Sequence, residues 1–226
     1  DEAREVRKGE PRAAGALNDV KARRDQRIAA ERKDHRRKRH DYVKGQGDDA
    51  DHVVRIQPHA LEVPAHAQGE EILVLEGVFS DENGDYPAGS YLRHPPGSQH
   101  APFSQTGCVI FVKLNQFDPR DLELIRMNTQ QTPWLPGIGG LQVMPLHEFE
   151  HQHTALVKWP KGEKFQPHRH FGGEEILVLS GKFQDELGEY PRHTWIRSPH
   201  MSGHFPFVEE ETIILVKTGH LPISAM

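Results

Sequence analysis

From residue 70 onward, apolar residues fall in short runs, each closed by Gly, Pro, Asp or Asn. Ile72 to Leu75 and Ile176 to Leu179 are such runs, and they predict buried strands rather than helices. Asp81-Glu82-Asn83-Gly84 and Asp185-Glu186-Leu187-Gly188 come next as hairpin turns. A Tyr-Pro pair then precedes a strand over Ser90–Arg93 or Thr194–Arg197, and a last strand covers Cys108–Leu114 or Thr212–Lys217. Strand-like segments also cover Leu141–Pro145 and Thr154–Trp159. Asp118–Met127 is expected to be one short linking helix, with Trp134-Leu-Pro-Gly as the entry to the strands beyond it. Many short strands at regular spacing predict an all-β sandwich or barrel.

The pattern occurs twice. Residues 70–87 read EEILVLEGVFSDENGDYP and residues 174–191 read EEILVLSGKFQDELGEYP, identical at 13 of 18 positions without a gap. The offset of 104 carries on to pair His100 with His204, and Ile110–Lys113 with Ile214–Lys217. Copies this similar must fold as two copies of one unit, each of ordinary domain size.

The first 50 residues show no core-forming period. Residues 1–45 hold 15 Lys/Arg against 9 Asp/Glu, a balance of 15 − 9 = +6, whereas the whole chain stands at −5. We expect a charged arm over 1–55, helical over Ala13–His40 or disordered, then a first unit at 56–125 and a second at 126–226. The first unit is short of strands, because little before Val63 apart from Val53–Ile56 reads as one. The N-terminal stretch of about 60 residues is therefore expected to be foreign to the repeat. Nucleic acid is not an expected partner except through the basic run Arg36–Arg39. No apolar stretch is long enough for a membrane span, and the charged N-terminus is unlike a signal peptide, so a cytoplasmic location is expected. The single cysteine, Cys108, excludes an intramolecular disulfide and reads as a core residue.

Chemistry concentrates in the second unit. His168 and His170 stand two apart in an extended segment and so share a face, and the Phe171-Gly172-Gly173 turn returns Glu174 beside them. His204 arrives just before the last strand. Three imidazoles and a carboxylate suit one divalent metal per chain: zinc, iron, manganese, nickel or copper. Glu175 alternates to the other face and is not an expected ligand. His147, His151 and His153 are expected at the surface, and Trp134, Trp159 and Trp195 in packing roles.

The spacing Gly162-x5-His168-x-His170-x3-Glu174-x6-Gly181 resembles the first motif of the cupins. Gly89, Pro95, Gly97 and His100 match the second motif, with Ser104 where that motif has Asn. The second unit keeps Pro199 and His204, but has His193 and Met201 at the two glycines and Val208 at the Asn. The phrases GGEEILVLSG, GEYP and IILVK are similar to the ChrR-type cupins, among them the zinc-binding C-terminal domain of ChrR anti-sigma factors. The resemblance implies tandem cupin jelly-roll barrels, a metal on His168, His170, Glu174 and His204, and a regulatory or sensor role. Similar barrels serve metal-dependent dioxygenases, which is the alternative, and a structural barrel without catalysis is a third reading. A sigma factor is not expected as partner by the known mode, which needs a helical domain with a His and two Cys. A small-molecule ligand in the barrel, against Phe165, Trp195, Phe205 and Phe207, and a homodimer are both compatible with the family.

The first unit departs at the metal. His66, Glu70 and His100 align with His170, Glu174 and His204, but Pro64 falls at the counterpart of His168. His59 could replace it only with a rearranged loop. The expectation is a weakened or vestigial second site, or a two-His, one-carboxylate site.

Overall fold

The computed structural model describes residues 51–56, 59–60 and 68–223. The charged arm over 1–50, together with Pro64 and His66, lies outside the described residues. The first half contributes β1 (Asp51–Ile56), β2 (His59–Ala60), β3 (Glu70–Asp81), β4 (Gly84–Pro87), β5 (Ser90–His94), β6 (Phe103–Ser104) and β7 (Cys108–Leu114). Next come β8 (Ile125–Asn128) and β9 (Leu135–Pro136). The second half contributes β10 (Gln142–Phe149), β11 (Gln152–Trp159), β12 (His168–Arg169), β13 (Glu174–Ser180) and β14 (Lys182–Asp185). It ends with β15 (Gly188–Pro191), β16 (Trp195–Ser198), β17 (Gly203–His204) and β18 (Thr212–Thr218). There is no helix among the described residues, and the fold is all-β.

The two larger sheets run in the orders β1-β7-β3-β5-β8 and β16-β13-β18-β11-β10-β9, and β12–β17 and β14–β15 form two-stranded sheets. Strand pairing repeats between them. β3 lies between β7 and β5, and β13 lies between β18 and β16. Each central strand carries a bulge at the same place, between Val74 and Glu76 or between Val178 and Ser180. Beyond the bulge the chain bends away at Gly77 or Gly181 into the β3–β4 or β14–β15 hairpin. Gly181 has φ 71°, and a Cβ there would lie 2.4 Å from the Glu211 carbonyl oxygen, so the motif glycine is a steric necessity.

Two expectations change here. β1 pairs along the whole of β7, as β11 pairs with β18, so the first sheet begins at Asp51, ahead of the boundary expected near residue 56. The linking helix over Asp118–Met127 does not form. Asp118 accepts from the Arg120 backbone N–H in a turn built on Pro119, and Ile125–Asn128 leaves it as an edge strand on β5. That strand ties the connection to the first sheet before the chain crosses to the second.

Strand alternation then divides the side chains of each central strand. Ile72 and Val74 enter the first barrel with Phe79, Leu92 and Ile110. Ile176 and Val178 enter the second with Trp159, Phe183 and Ile214. Leu73 and Leu177 point the other way and meet in a third cluster with Tyr91, Phe111, Met144 and Leu215, which joins the halves. Cys108 is buried in the first core, as expected, and burial raises its thiol pKa. Trp159 is a core residue, while Trp134 and Trp195 pack against the joining cluster.

The second glutamate of each Glu-Glu pair accompanies the leucines into this junction. Lys113 pairs with Glu175, and Lys217 Nζ lies 2.6 Å from Glu71 Oε2, so each half sends its lysine to the other half's carboxylate. All four side chains are at least 94 % buried. Tyr91 donates to Glu71 Oε1 at 2.5 Å, and Glu175 also meets His220 at 2.9 Å. Burial alone raises the Glu71 carboxyl, but Lys217 and Lys113 outweigh it and hold its pKa at about 2. Burial pushes the Lys217 ammonium down, with Lys113 adding to the effect and Glu71 opposing it. These opposite tendencies describe two ammonium groups crowded between two carboxylates. We read both pairs as ionised at neutral pH, because each nitrogen faces a carboxylate of low pKa.

Removing one member of a buried pair strands the other. Lys217→Met is expected to cost about 3–5 kcal/mol in urea denaturation, and adding Glu71→Leu should recover most of it. Acid acts through the same groups. Glu71 contributes stability that is complete above its ordinary carboxylate value of 4.5 and is lost as pH falls through about 2. The urea midpoint should therefore drop across that window, and a Glu71→Gln variant should show a shallower drop.

Candidate metal centre

In the second barrel, β12 and β17 pair with His168 directly opposite His204. The turn at Gly172 and Gly173, with φ 68° and 71°, then brings Glu174 to the start of β13. The Gly172 N–H donates to His200 Nδ1 at 2.8 Å, which fixes the turn from the far side. The result is convergence: His204 Nε2 lies 3.3 Å from both His168 Nε2 and His170 Nε2. Glu174 Oε1 is 3.2 Å from His170 Nε2, and its Oε2 is 3.5 Å from His204 Nε2. Donors on a tetrahedral zinc, at about 2.0–2.1 Å each, stand about 3.3–3.4 Å apart, so the three imidazole nitrogens are spaced for a single small cation.

The rings are also oriented for the purpose. His168 Nδ1–H donates to the Gln166 carbonyl at 2.8 Å, which leaves the lone pair on Nε2. Behind His204, Asp185 Oδ2 lies 3.8 Å from Nδ1, and Tyr190 donates to Asp185 Oδ1 at 2.9 Å. Burial lowers the pKa of His168 and brings His170 to about 4, so both are neutral, as ligands must be. Burial also opposes a charge on His204, but Asp185 and Glu174 outweigh it and raise its pKa. His168, His170 and His204 bring donor nitrogens within 4.8 Å of one another, and Glu174 stands beside His170 and His204. Glu175 faces the junction instead.

A cavity of about 140 Å3 adjoins the centre, with His168, Glu174 and His204 on its wall. Its remaining surface is apolar, from Val157, Trp159, Phe165, Phe183, Ile214 and neighbours. Of the aromatic residues expected to line it, only Phe165 does so. Trp195 packs at the junction, and Phe205 and Phe207 meet one another at a tilt of 45° instead of lining the cavity. Phe207 is held by backbone bonds in both directions to Gln184 of β14, and the cavity is lined instead by side chains of β11, β14 and β18.

In the first barrel, Glu70 and His100 meet as the repeat implies, with His100 Nε2 3.0 Å from Glu70 Oε2. A residue that sequence reasoning missed joins them. His94, at the end of β5, places Nδ1 3.2 Å from the same oxygen. β2 pairs His59 with Ser104, not with His100, so the backbone does not repeat the His168–His204 pairing. The three histidines of the β10–β11 hairpin do not form a cluster. His151 and His153 are exposed as expected, but His147 is buried, with Nε2 3.3 Å from Asp121 Oδ1, and Asp121 is itself held by Arg93.

The profile of the ChrR cupin-like domain matches residues 40–118 and again 123–222, together more than half of the chain. The chain belongs to the ChrR cupin-like family. None of the curated proteins matches it in sequence. Among solved structures it is similar to a Nostoc punctiforme protein provisionally called a dioxygenase, at 15% identity and TM-score 0.65, covering 79% of this chain and 71% of that one. It is similar to the Escherichia coli protein YlbA at 16% identity and TM-score 0.59, covering 79% and 80%. A third is the E. coli pirin YhhW in complex with nickel(II), at 13% identity and TM-score 0.55, covering 74% and 79%. Likeness at these identities establishes the bicupin fold and leaves the chemistry to the site.

The hydrogen-bonded carboxylate behind His204 supplies a test that spares the ligands. Asp185→Asn should weaken metal binding by about 10–100-fold in a competition titration with a chromogenic chelator. His168→Ala should abolish binding at this centre altogether.

Proposed function

We propose that this ChrR-type bicupin binds a divalent metal at His168, His170, Glu174 and His204, and serves as a ligand-responsive regulatory protein. The observation that carries the reading is the convergence of three Nε2 atoms, with His204 3.3 Å from each of the others, beside an apolar cavity that His168 and His204 help to line. Zinc is the first candidate, and iron, manganese and nickel suit the same donors. A bound metal would act as a Lewis acid toward ligand oxygen atoms, because four protein donors leave positions open on a five- or six-coordinate ion.

The chain's own residues define what enters. A volume of about 140 Å3 is close to the ~150 Å3 that accommodates benzene, so the ligand is small. Val157, Phe183 and Ile214 favour an apolar body, and among the described residues no lysine or arginine lines the wall to hold a second charge. Trp159 Nε1 is buried with no hydrogen-bond partner among the described residues, so it offers a donor to a ligand oxygen. A neutral or singly charged oxygenated hydrocarbon meets all three conditions.

The cavity also favours a second reading, that of a metal-dependent oxygenase acting on such a molecule. Metal content and oxygen uptake with a small 1,3-diketone separate the two. Bound zinc without turnover supports the regulatory reading, and iron with stoichiometric oxygen consumption supports the oxygenase. A chain purified without metal, and unable to take any up, sinks both and leaves a structural barrel. Ile214→Phe should fill the cavity, leave metal content unchanged and remove either the ligand-induced Tm shift or the turnover, as measured by thermal scanning and oxygen electrode.

A further inference from the structure

The first barrel has lost the histidine that would correspond to His168, because Pro64 stands at that position. Its remaining donors have gained a neighbour from another strand. β3 and β5 pair with Glu70 opposite His94, whereas the matching pair of β13 and β16 sets Glu174 opposite Ser198. A histidine thus occupies the β5 position directly across from the glutamate, while β7 sets Leu114 on its other side. His94 Nδ1 and His100 Nε2 lie 3.2 and 3.0 Å from one Glu70 oxygen, and the two rings are 4.2 Å apart between centroids. The donor atoms of the trio all fall within 4.8 Å of one another.

We infer that the first barrel holds its own divalent cation on Glu70, His94 and His100, with His94 of β5 replacing the ligand that Pro64 removes. The surroundings of the trio repeat those of the other centre. Asp81 Oδ2 lies 3.8 Å from His100 Nδ1, as Asp185 Oδ2 does from His204 Nδ1. Tyr86 donates to Asp81 at 3.0 Å, as Tyr190 donates to Asp185. The carboxylate that orients a metal-binding imidazole is therefore kept where the ligand set has changed. His94 is 2 % exposed, and its Nε2 has no hydrogen-bond partner among the described residues, so the hydrogen bonds of the trio leave a buried nitrogen unused. Two imidazoles and one carboxylate with further positions open suit iron, manganese or zinc.

The site is independent of the second barrel, and the experiment keeps them apart. Metal per chain is measured by plasma mass spectrometry after loading with zinc, and separately with manganese, then gel filtration. Parent protein should hold two equivalents, the His168→Ala/His204→Ala variant one, and His94→Ala one. A parent with one equivalent that His94→Ala leaves unchanged, and that the second-barrel variant loses, overturns the inference. One equivalent that survives the second-barrel variant and is lost with His94→Ala upholds it, even though the reading of the other centre would then fail. If His94→Ala does not fold, anomalous scattering from zinc-soaked crystals of the parent decides. A peak within bonding distance of His94, Glu70 and His100 supports the site, and a peak bonded to Glu70 and His100 without His94, or no peak, refutes it.

Discussion

The two adjacent glutamates at the head of each repeat organise the molecule. A strand must turn successive side chains to opposite faces, so Glu70 and Glu174 enter the barrels while Glu71 and Glu175 leave them. The inward pair supplies a carboxylate to each cluster of histidines. The outward pair is driven into the apolar junction, where a carboxylate is tolerable only with a cation beside it. Lys113 and Lys217 provide that cation from the opposite half. One dipeptide thus ties the geometry of each histidine cluster to the joint between the barrels. Neither glutamate can change faces without a slip in register that would expose Ile72 or Ile176.

Much of this was readable from the chain, and the boundary of legibility has physical causes. The repeat, the strands, the hairpins and the placing of His168, His170 and Glu174 about one turn are local patterns, and they fold as they read, whereas His204 comes to them through the pairing of β12 with β17. Glu175 could be excluded as a ligand by alternation, but its partner Lys113 could not be named, because the pairing arises only when two sheets meet. His94 escaped for a sharper reason. Aligning the halves exposes what they share, and the counterpart of His94 is Ser198, so the comparison that revealed Glu70 and His100 also hid their neighbour. The helix expected over Asp118–Met127 failed because propensity was weighed without the open edge of β5, which captures Ile125–Asn128.

Backbone conformation proved more durable than the residues that usually encode it. The second half carries His193 and Met201 where the first has Gly89 and Gly97, yet φ is 68° and 59° at these positions against 89° and 81°. Left-handed backbone costs an ordinary residue about 1–2 kcal/mol, and the second half bears it at both turns. Strand pairing on either side holds those turns in place: the His193 N–H donates to the Val178 carbonyl at 2.7 Å, and the Met201 N–H to the His170 carbonyl at 2.9 Å. The second of these bonds lies between the two segments that carry His168, His170 and His204.

The crosswise exchange of lysines has the symmetry of a dimer, although it occurs within one chain. In a true homodimer every substitution appears on both sides of the dyad at once, so a residue such as Pro64 would disable both copies. Joining the copies covalently removes that penalty. One half is then free to drift at its centre and to recruit a histidine from another strand, while the shared joint restrains both to the same outer form. The duplication thus gives a single polypeptide two histidine clusters of different composition around one interface, an asymmetry that no assembly of identical subunits can reach.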